Sequence, residues 1–440
     1  MPDRYIVAGA GLAGSLMALF LGREGHNVEV YERRPDPRLA GHEGGRSINL
    51  AISERGLDAM GRAGLRDQVL AMAIPMRGRM IHGAAGELRF QPYGVHGQAI
   101  NSVSRGGLNS LLLEAAGREA GVRLHFDQRC LEVDPEVGRA VFQHTRTEAR
   151  TETSADAIIG ADGAFSAVRA AMQRRDRFDY SQDYLAHGYK ELYIPPAEGG
   201  GFRLEPNALH IWPRGGFMMI ALPNPDGSFT CTLFWAFEGP NSFANLRSEA
   251  DVLRYFSEVY PDAVPHMPTL AEDFFRNPTS SLVTVRCGPW TVGGRTALVG
   301  DACHAVVPFY GQGANAAFED CVILDECLRQ HPGDRARAFS RYHAIRKEHA
   351  DALADLAIGN FIEMRDTVAS PLFRLRKRVD KILHTLFPRW YLPLYTMISF
   401  SRIPYADAVR RARRQDRYVR WIMGAVILAA LGAAWMLLRA

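Results

Sequence analysis

Tyr5-Ile6-Val7-Ala8-Gly9-Ala10-Gly11-Leu12-Ala13-Gly14 opens the 440-residue chain and decides its fold. Tyr5 to Ala8 reads as a short buried strand, Ser15 to Gly22 as a helix, and Asn27 to Tyr31 as a second strand that closes on Glu32. This β-turn-α-β order, with an acidic residue ending the second strand, is the setting in which G-x-G-x-x-G binds a dinucleotide. Gly9 permits the tight turn, Gly11 lets the backbone approach a pyrophosphate, and Gly14 permits close helix packing. The helix N-terminus offers free N–H groups to phosphate, and the Glu32 carboxylate can accept from a ribose hydroxyl. The apolar run 5–21 lacks the basic start and cleavage site of a signal peptide, so it is core structure.

Outward from this unit, composition sets limits. At 47% hydrophobic and 23% charged residues the chain can bury a large core, which excludes a predominantly disordered protein. The formal charge of +4 is local: residues 410–420 hold six Arg against one Asp, and Arg439 adds another, so residues 1–409 carry −2. That excludes a nucleic-acid-binding body and predicts an anionic surface next to the tail. Six cysteines without a C-x-x-C pair exclude a disulfide framework and predict reduced thiols in a cytoplasmic compartment. No metal site is expected, since His304, His343 and His349 have no partner at ligand spacing.

The middle of the chain reads as strands: Leu209–Trp212, Phe217–Leu222 and Phe229–Trp235, with a Pro223-Asn224-Pro225-Asp226-Gly227 turn, and Met76–His82 paired with Glu87–Phe90. From Arg335 to about Thr367 the pattern is helical. It stays helical to Ala408, broken at Pro371, Pro388, Pro393 and Pro404. Trp421 to Leu438 is uncharged for 18 residues, which predicts a single membrane-spanning tail behind the Arg cluster and contact with a lipid bilayer. The alternative is a buried or interfacial helix.

Two further segments repeat the strand-then-acid pattern. Ala157-Ile158-Ile159-Gly160-Ala161-Asp162-Gly163 runs on to Ser166 and Arg169. Thr296-Ala297-Leu298-Val299-Gly300-Asp301 runs on to Pro308 and Gly311-Gln312-Gly313-Ala314-Asn315. Three such segments in this order, with no second G-x-G-x-x-G, resemble the single-component FAD-dependent aromatic hydroxylases of the p-hydroxybenzoate hydroxylase type. Within that group, Gly45-Arg46-Ser47-Ile48-Asn49-Leu50-Ala51, Pro75 to His82, Pro92-Tyr93-Gly94, Val103-Ser104-Arg105, Pro308 to Gly313 and Asn360 to Asp366 are similar to the kynurenine 3-monooxygenases. Tyr310 and Ala314 stand where members of that family vary.

The resemblance implies an α/β fold. A Rossmann-like FAD-binding domain (1–75, 100–180, 280–334) would be joined to an antiparallel β-sheet substrate domain (76–99, 181–279), a helical region (335–417) and a transmembrane tail (418–438). It implies bound FAD, NADPH as a transient co-substrate and O2, with a flavin C4a-hydroperoxide hydroxylating L-kynurenine to 3-hydroxy-L-kynurenine in tryptophan degradation. The body would lie in the cytoplasm, anchored to a bacterial inner membrane or a mitochondrial outer membrane. A related membrane flavoprotein acting on a quinone or prenyl lipid is the alternative. Carried over, the substrate contacts are Arg79, Tyr93, Asn360 and Tyr395. The cofactor contacts are Gly9, Gly11, Leu12, Ala13, Gly14, Glu32, Arg33, Arg34, Ala51, Arg105, Asp162, Asp301, Pro308, Gly311, Gly313, Ala314 and Asn315.

The residues themselves leave choices open. A zwitterionic amino acid needs a cation for its carboxylate, and alternation places Arg77 and Arg79 on one strand face without choosing between them. Asn360 shares a helical stripe with Leu353, Leu356, Ala357 and Met364, so its amide points inward, to a backbone group or to a ligand. Tyr395 lies in an apolar stretch where packing alone would suit it.

Overall fold

A computed structural model of the chain describes residues 2–39, 49–93, 97–362, 379–380 and 382–437. The first sheet is built around the opening strand. Arg4–Ala8 pairs in parallel with Asn27–Tyr31 on one side and Ala157–Gly160 on the other, Val7 facing Val30 and Ile159. Its four apolar residues are buried on both faces, as a central parallel strand requires. Val122–His125 and Thr296–Leu298 extend the sheet in parallel, and Thr291–Val292 adds an antiparallel edge. Because the long strands run the same way, their C-terminal ends line one edge. That edge carries the glycine loop, Glu32, Asp162-Gly163 and Gly300-Asp301 together.

The helix Leu12–Arg23 is apolar nearly all round because it is covered all round, by the sheet and by the helices Arg105–Gly117 and Gly313–Gln330. A separate ribbon, Gln128–Asp134, Arg139–His144 and Arg150–Ser154, is antiparallel. It had no counterpart in the sequence reading: its strands are rich in polar residues, lack a clean alternation and expose much of their length.

The second large sheet has seven strands and is antiparallel except where Ala208–Pro213 runs parallel to Gly78–His82. The strands expected at 209–212, 217–222 and 229–235 appear as Ala208–Pro213, Met218–Pro223 and Phe229–Ala236. Met218–Pro223 is apolar on both faces. Met219 and Ala221 pack with Trp212, Trp235 and Phe256 under the helices Glu249–Val259 and Leu270–Arg276, whereas Met218, Ile220 and Leu222 face the site.

The single strand expected over Met76–His82 is two. Ile74–Met76 joins a small sheet with Asn49–Ile52 and Ile100–Ser104, and Gly78–His82 joins the large one. The chain crosses at Gly78, where any Cβ would lie 2.4 Å from the Gln91 carbonyl oxygen. Arg77 therefore stands outside the strand and is exposed, and the alternation that paired it with Arg79 does not pass through it.

Arg335–Ile362 forms one helix, and Leu394–Ser399 and Tyr405–Leu437 follow. The expected helical stretch beyond Ile362, with Met364, Glu363 to Asp366 and Pro371, lies outside the described residues, as do Gly45 to Ile48 and Gly94. The spanning tail is corrected: among the described residues no helix is long and apolar enough to cross a membrane. The apolar run is the end of a helix whose first half carries the Arg cluster. The bilayer contact inferred from that span is left without support. All six cysteines are free, and five are buried.

Candidate functional site

Each glycine of the loop has a separate steric role. Gly9 has φ +96°, and a Cβ there would lie 2.5 Å from the Ala161 carbonyl oxygen; at Gly14 it would lie 1.9 Å from the Gly9 oxygen. Gly11 differs: a Cβ there would meet nothing within 4 Å, so this position faces open space. Gly11 is also the N-cap of Leu12–Arg23 and supplies no capping side chain, so the first N–H groups of the helix, at Leu12 and Ala13, remain available to an anion. Gln312 at the start of Gly313–Gln330 likewise makes no cap bond.

Glu32 is buried. It accepts from the Ala10 N–H (2.9 Å) through one oxygen, and from the Arg34 N–H (3.0 Å) and Nε (2.8 Å) through the other. Burial works against its charge, but the Arg34 pairing and the two backbone N–H groups hold it below the usual carboxylate range. Arg34 and Arg33 are exposed beside it. Asn109, absent from the sequence reading, donates to the Ala10 carbonyl (3.1 Å) and leaves its own Oδ1 buried without a partner at the loop.

The opposite wall is a clamp made by Asn315. Its Oδ1 accepts from the Ser53 N–H, and its Nδ2 donates to the carbonyls of Ala51 and Gly311, each at 2.9 Å. Asn315 thus holds Ala51 to the 308–313 turn, where Gly311 sits at φ +67° and Pro308 is exposed; its amide is spent on the protein. Gly313 and Ala314 follow, partly buried. Asp301 is exposed at the strand end and Arg105 at the start of its helix. Asp162 is engaged by the next helix. Its carboxylate caps the helix Ala167–Met172, accepting from the Ala167 (2.7 Å) and Val168 (3.3 Å) N–H groups and from Ser166. Burial pushes its pKa up against those bonds. The open face at Gly11, the paired acceptor Glu32, the orphaned Asn109 oxygen and two uncapped helix starts fit a dinucleotide pyrophosphate and its sugar.

Across this edge, under the large sheet, an aromatic cage surrounds Arg79. Its guanidinium lies 4.8 Å from the Tyr395 ring and 5.6 Å from the Tyr93 ring, and the two rings stack at 5.6 Å. Tyr310 approaches Tyr395 at 5.8 Å, and Phe400 closes the far side. The Arg79 Nε is sealed from solvent with no hydrogen-bond partner, and no carboxylate among the described residues pairs with this guanidinium. Burial opposes its charge, while the phenol oxygens of Tyr395 and Tyr93 favour it and leave the net pKa raised. Burial likewise pushes Tyr93 up.

Asn360 donates to the Phe309 carbonyl (2.7 Å), so the inward amide expected from the helical stripe braces the turn that carries Tyr310. The structure thus brings Arg79, Tyr93 and Tyr395 together and sets Asn360 behind them.

A buried charge network below the cofactor edge escaped the sequence reading. His304, expected to lack a carboxylate, meets Asp320 at 2.5 Å, and Asp320 pairs with Arg346 at 2.7 Å. The signal was present as Glu319-Asp320 between the apolar runs Ala316-Ala317-Phe318 and Cys321-Val322-Ile323-Leu324, since buried acids require cations. Cys303, His304 and Asp320 bring possible ligand atoms within 4.8 Å of one another, but the arginine already occupies one Asp320 oxygen and opposes a second cation there.

Comparison with known proteins agrees with this layout. The sequence profile described as FAD binding domain matches residues 4–188 and 257–357. The kynurenine 3-monooxygenase of Myxococcus xanthus is 49% identical over 418 residues, covering 95% of this chain and 90% of its own. That of Salinispora tropica is 49% identical over 440 residues, covering 100% and 97%. The chain belongs to the kynurenine 3-monooxygenase family. Like its relatives it is a FAD-dependent enzyme, and the glycine loop with Glu32 lies within the matched FAD-binding region. The tetrameric form of 2-methyl-3-hydroxypyridine-5-carboxylic acid oxygenase superposes with a TM-score of 0.68 at 20% identity, covering 84% of this chain and 94% of that one, a likeness of fold.

Proposed function

We propose that the chain is an NADPH- and O2-dependent FAD monooxygenase that hydroxylates L-kynurenine to 3-hydroxy-L-kynurenine. The observation that carries the substrate is Arg79: a guanidinium beside two stacked tyrosine rings, with a sealed Nε and no acid beside it among the described residues. A buried cation without a counter-ion is costly, and a ligand carboxylate that accepts two parallel N–H bonds removes that cost on binding. Tyr93 and Tyr395 supply flat faces for an aromatic ring and hydroxyls for the polar end. Asn360 and Phe309 fix the position of Tyr310.

When bound, FAD supplies the redox chemistry, taking electrons from NADPH and passing them to O2. The chain's own residues bind and orient. The kynurenine ring is already activated by its amino group, so the site needs no nucleophile; it needs the ring held in one pose and water kept out. Met218, Ile220, Leu222, Phe309 and Phe361 line the surroundings with apolar surface.

NADPH oxidation by the purified, FAD-loaded protein, followed with and without L-kynurenine, tests the reading. Stimulation by L-kynurenine with a product one oxygen heavier supports it. Turnover of a quinone or prenyl substrate with indifference to L-kynurenine rejects it.

A further inference from the structure

The helix Gly313–Gln330 carries two adjacent acids, Asp320 buried and Glu319 partly buried, whose partners lead in different directions. Asp320 is fully buried. One of its oxygens accepts from the Gly300 N–H (2.9 Å) and from His304 (2.5 Å), the other from Arg346 Nε (2.7 Å). Gly300 is the turn residue before Asp301, at φ +62° and ψ −140°. A Cβ on it would lie 3.1 Å from the Ala317 Cβ and 3.2 Å from the Ala13 Cβ, so the turn is wedged between that helix and the glycine loop. The conformation is one only glycine adopts easily, and the Asp320 carboxylate takes the hydrogen bond that holds it. Glu319 is bound to Arg346 (2.5 Å) and to Arg55 (2.7 Å). Arg55, itself buried, lies 4.1 Å from the Tyr405 ring and donates to the Ile403 carbonyl. Those residues directly follow the Leu394–Ser399 helix that carries Tyr395, and Tyr405 in turn donates to Gln312 (3.1 Å).

We propose that Asp320 and Glu319 are positioning residues with divided tasks: Asp320 sets the Gly300-Asp301 turn for FAD, and Glu319, through Arg55, sets the C-terminal wall of the aromatic cage for the substrate. Arg346 donates to both acids. Neither acid touches a ligand. Each acts through the backbone it fixes, and two acids against two arginines leave the chain of pairs neutral apart from His304.

The FAD half stands on family membership alone, and the cage half rests on the proposed kynurenine reading. The test uses full-length Asp320→Asn and Glu319→Gln. For each, the FAD dissociation constant of the apoprotein is measured by flavin fluorescence, the kinetic KM for L-kynurenine at saturating FAD, and the melting temperature of the apoprotein. Loss of a charged buried bond predicts that Asp320→Asn raises the FAD constant about tenfold or more, with KM within about twofold of wild type. Glu319→Gln raises KM about fivefold, with the FAD constant within about twofold. A merely structural role would move both constants together, in step with the melting temperature, and that result overturns the proposal, as does a folded variant with both constants unchanged. If either variant fails to fold, Arg346→Lys, which keeps the charge but loses the planar fork between the two carboxylates, must raise both constants with the apoprotein melting temperature unchanged; unchanged constants, or a rise that tracks a lower melting temperature, overturn it too. A wild-type protein indifferent to L-kynurenine would sink the substrate reading while leaving the Asp320 arm to be judged on FAD binding alone.

Discussion

Replacing Arg79 with Met removes the guanidinium and keeps most of the apolar stem beside Tyr93 and Tyr395. The group lost is a cation with a sealed Nε and no acid partner among the described residues, so a bound carboxylate would be its main counter-charge. Breaking a buried ion pair of this kind costs about 3–5 kcal/mol. The two rings recover little of that loss, since Met gains only about 1 kcal/mol of sulfur–aromatic contact. A net loss of about 3 kcal/mol corresponds to a KM for L-kynurenine about 100-fold higher.

Because the interaction is made equally in the ground and transition states, kcat should stay within about threefold. FAD content should not change. Since the Tyr395 and Tyr93 phenol oxygens favour the Arg79 charge in the free protein, its removal should not raise the melting temperature without substrate, while the shift on adding L-kynurenine disappears. Steady-state kinetics and thermal melts with and without substrate read all of these. A KM within twofold of wild type in the Met variant would refute the reasoning.

Three further outcomes follow from the geometry. Gly14→Ala places a methyl group 1.9 Å from the Gly9 oxygen and should abolish FAD retention on gel filtration; a yellow, stable variant would contradict the loop packing. Glu32→Gln should weaken FAD binding about tenfold by loss of the charge-assisted contacts. Since Glu32 is held below its ordinary value, its stabilising contribution is present above the carboxylate range and fades as pH falls through its folded pKa, so the variant should melt with a shallower acid-side dependence than wild type. Asp325, whose carboxyl burial pushes up to about 6 despite Arg329, behaves oppositely. Its ionisation costs stability as pH rises through 6, so Asp325→Asn should raise stability by about 2 kcal/mol at pH 7.5 and have little effect at pH 4, measured by chemical denaturation.

The cofactor edge was legible because its signals are local. Glycine spacing, strand length and a terminal acid all lie within some 30 residues, and the three strand-end segments had only to be laid side by side in a parallel sheet. Asp162 shows the limit of that logic: an acid at a strand end can serve the cofactor or cap the next helix, and the bonds to Ala167 and Val168 give it the second role. The choice between Arg77 and Arg79 needed the crossing at Gly78, which depends on a contact with Gln91 from a different strand. Tyr310, Asn109 and the Glu319-Asp320 pair act through partners far along the chain, such as Arg346 and Arg55, and only the fold reveals the pairing. The C-terminal run Trp421–Leu438 reads as a separate span from its uncharged length, whereas it continues the helix Tyr405–Leu437, and among the described residues no helix is long and apolar enough to cross a membrane.

Single-turnover labelling addresses the central claim most directly. FAD-loaded protein is reduced with NADPH, mixed with L-kynurenine under isotopically labelled O2, and the product is analysed by mass and ring-proton NMR. The account predicts one labelled oxygen on the ring carbon ortho to the amine. Unaltered L-kynurenine, or an oxygen drawn from water, would contradict it.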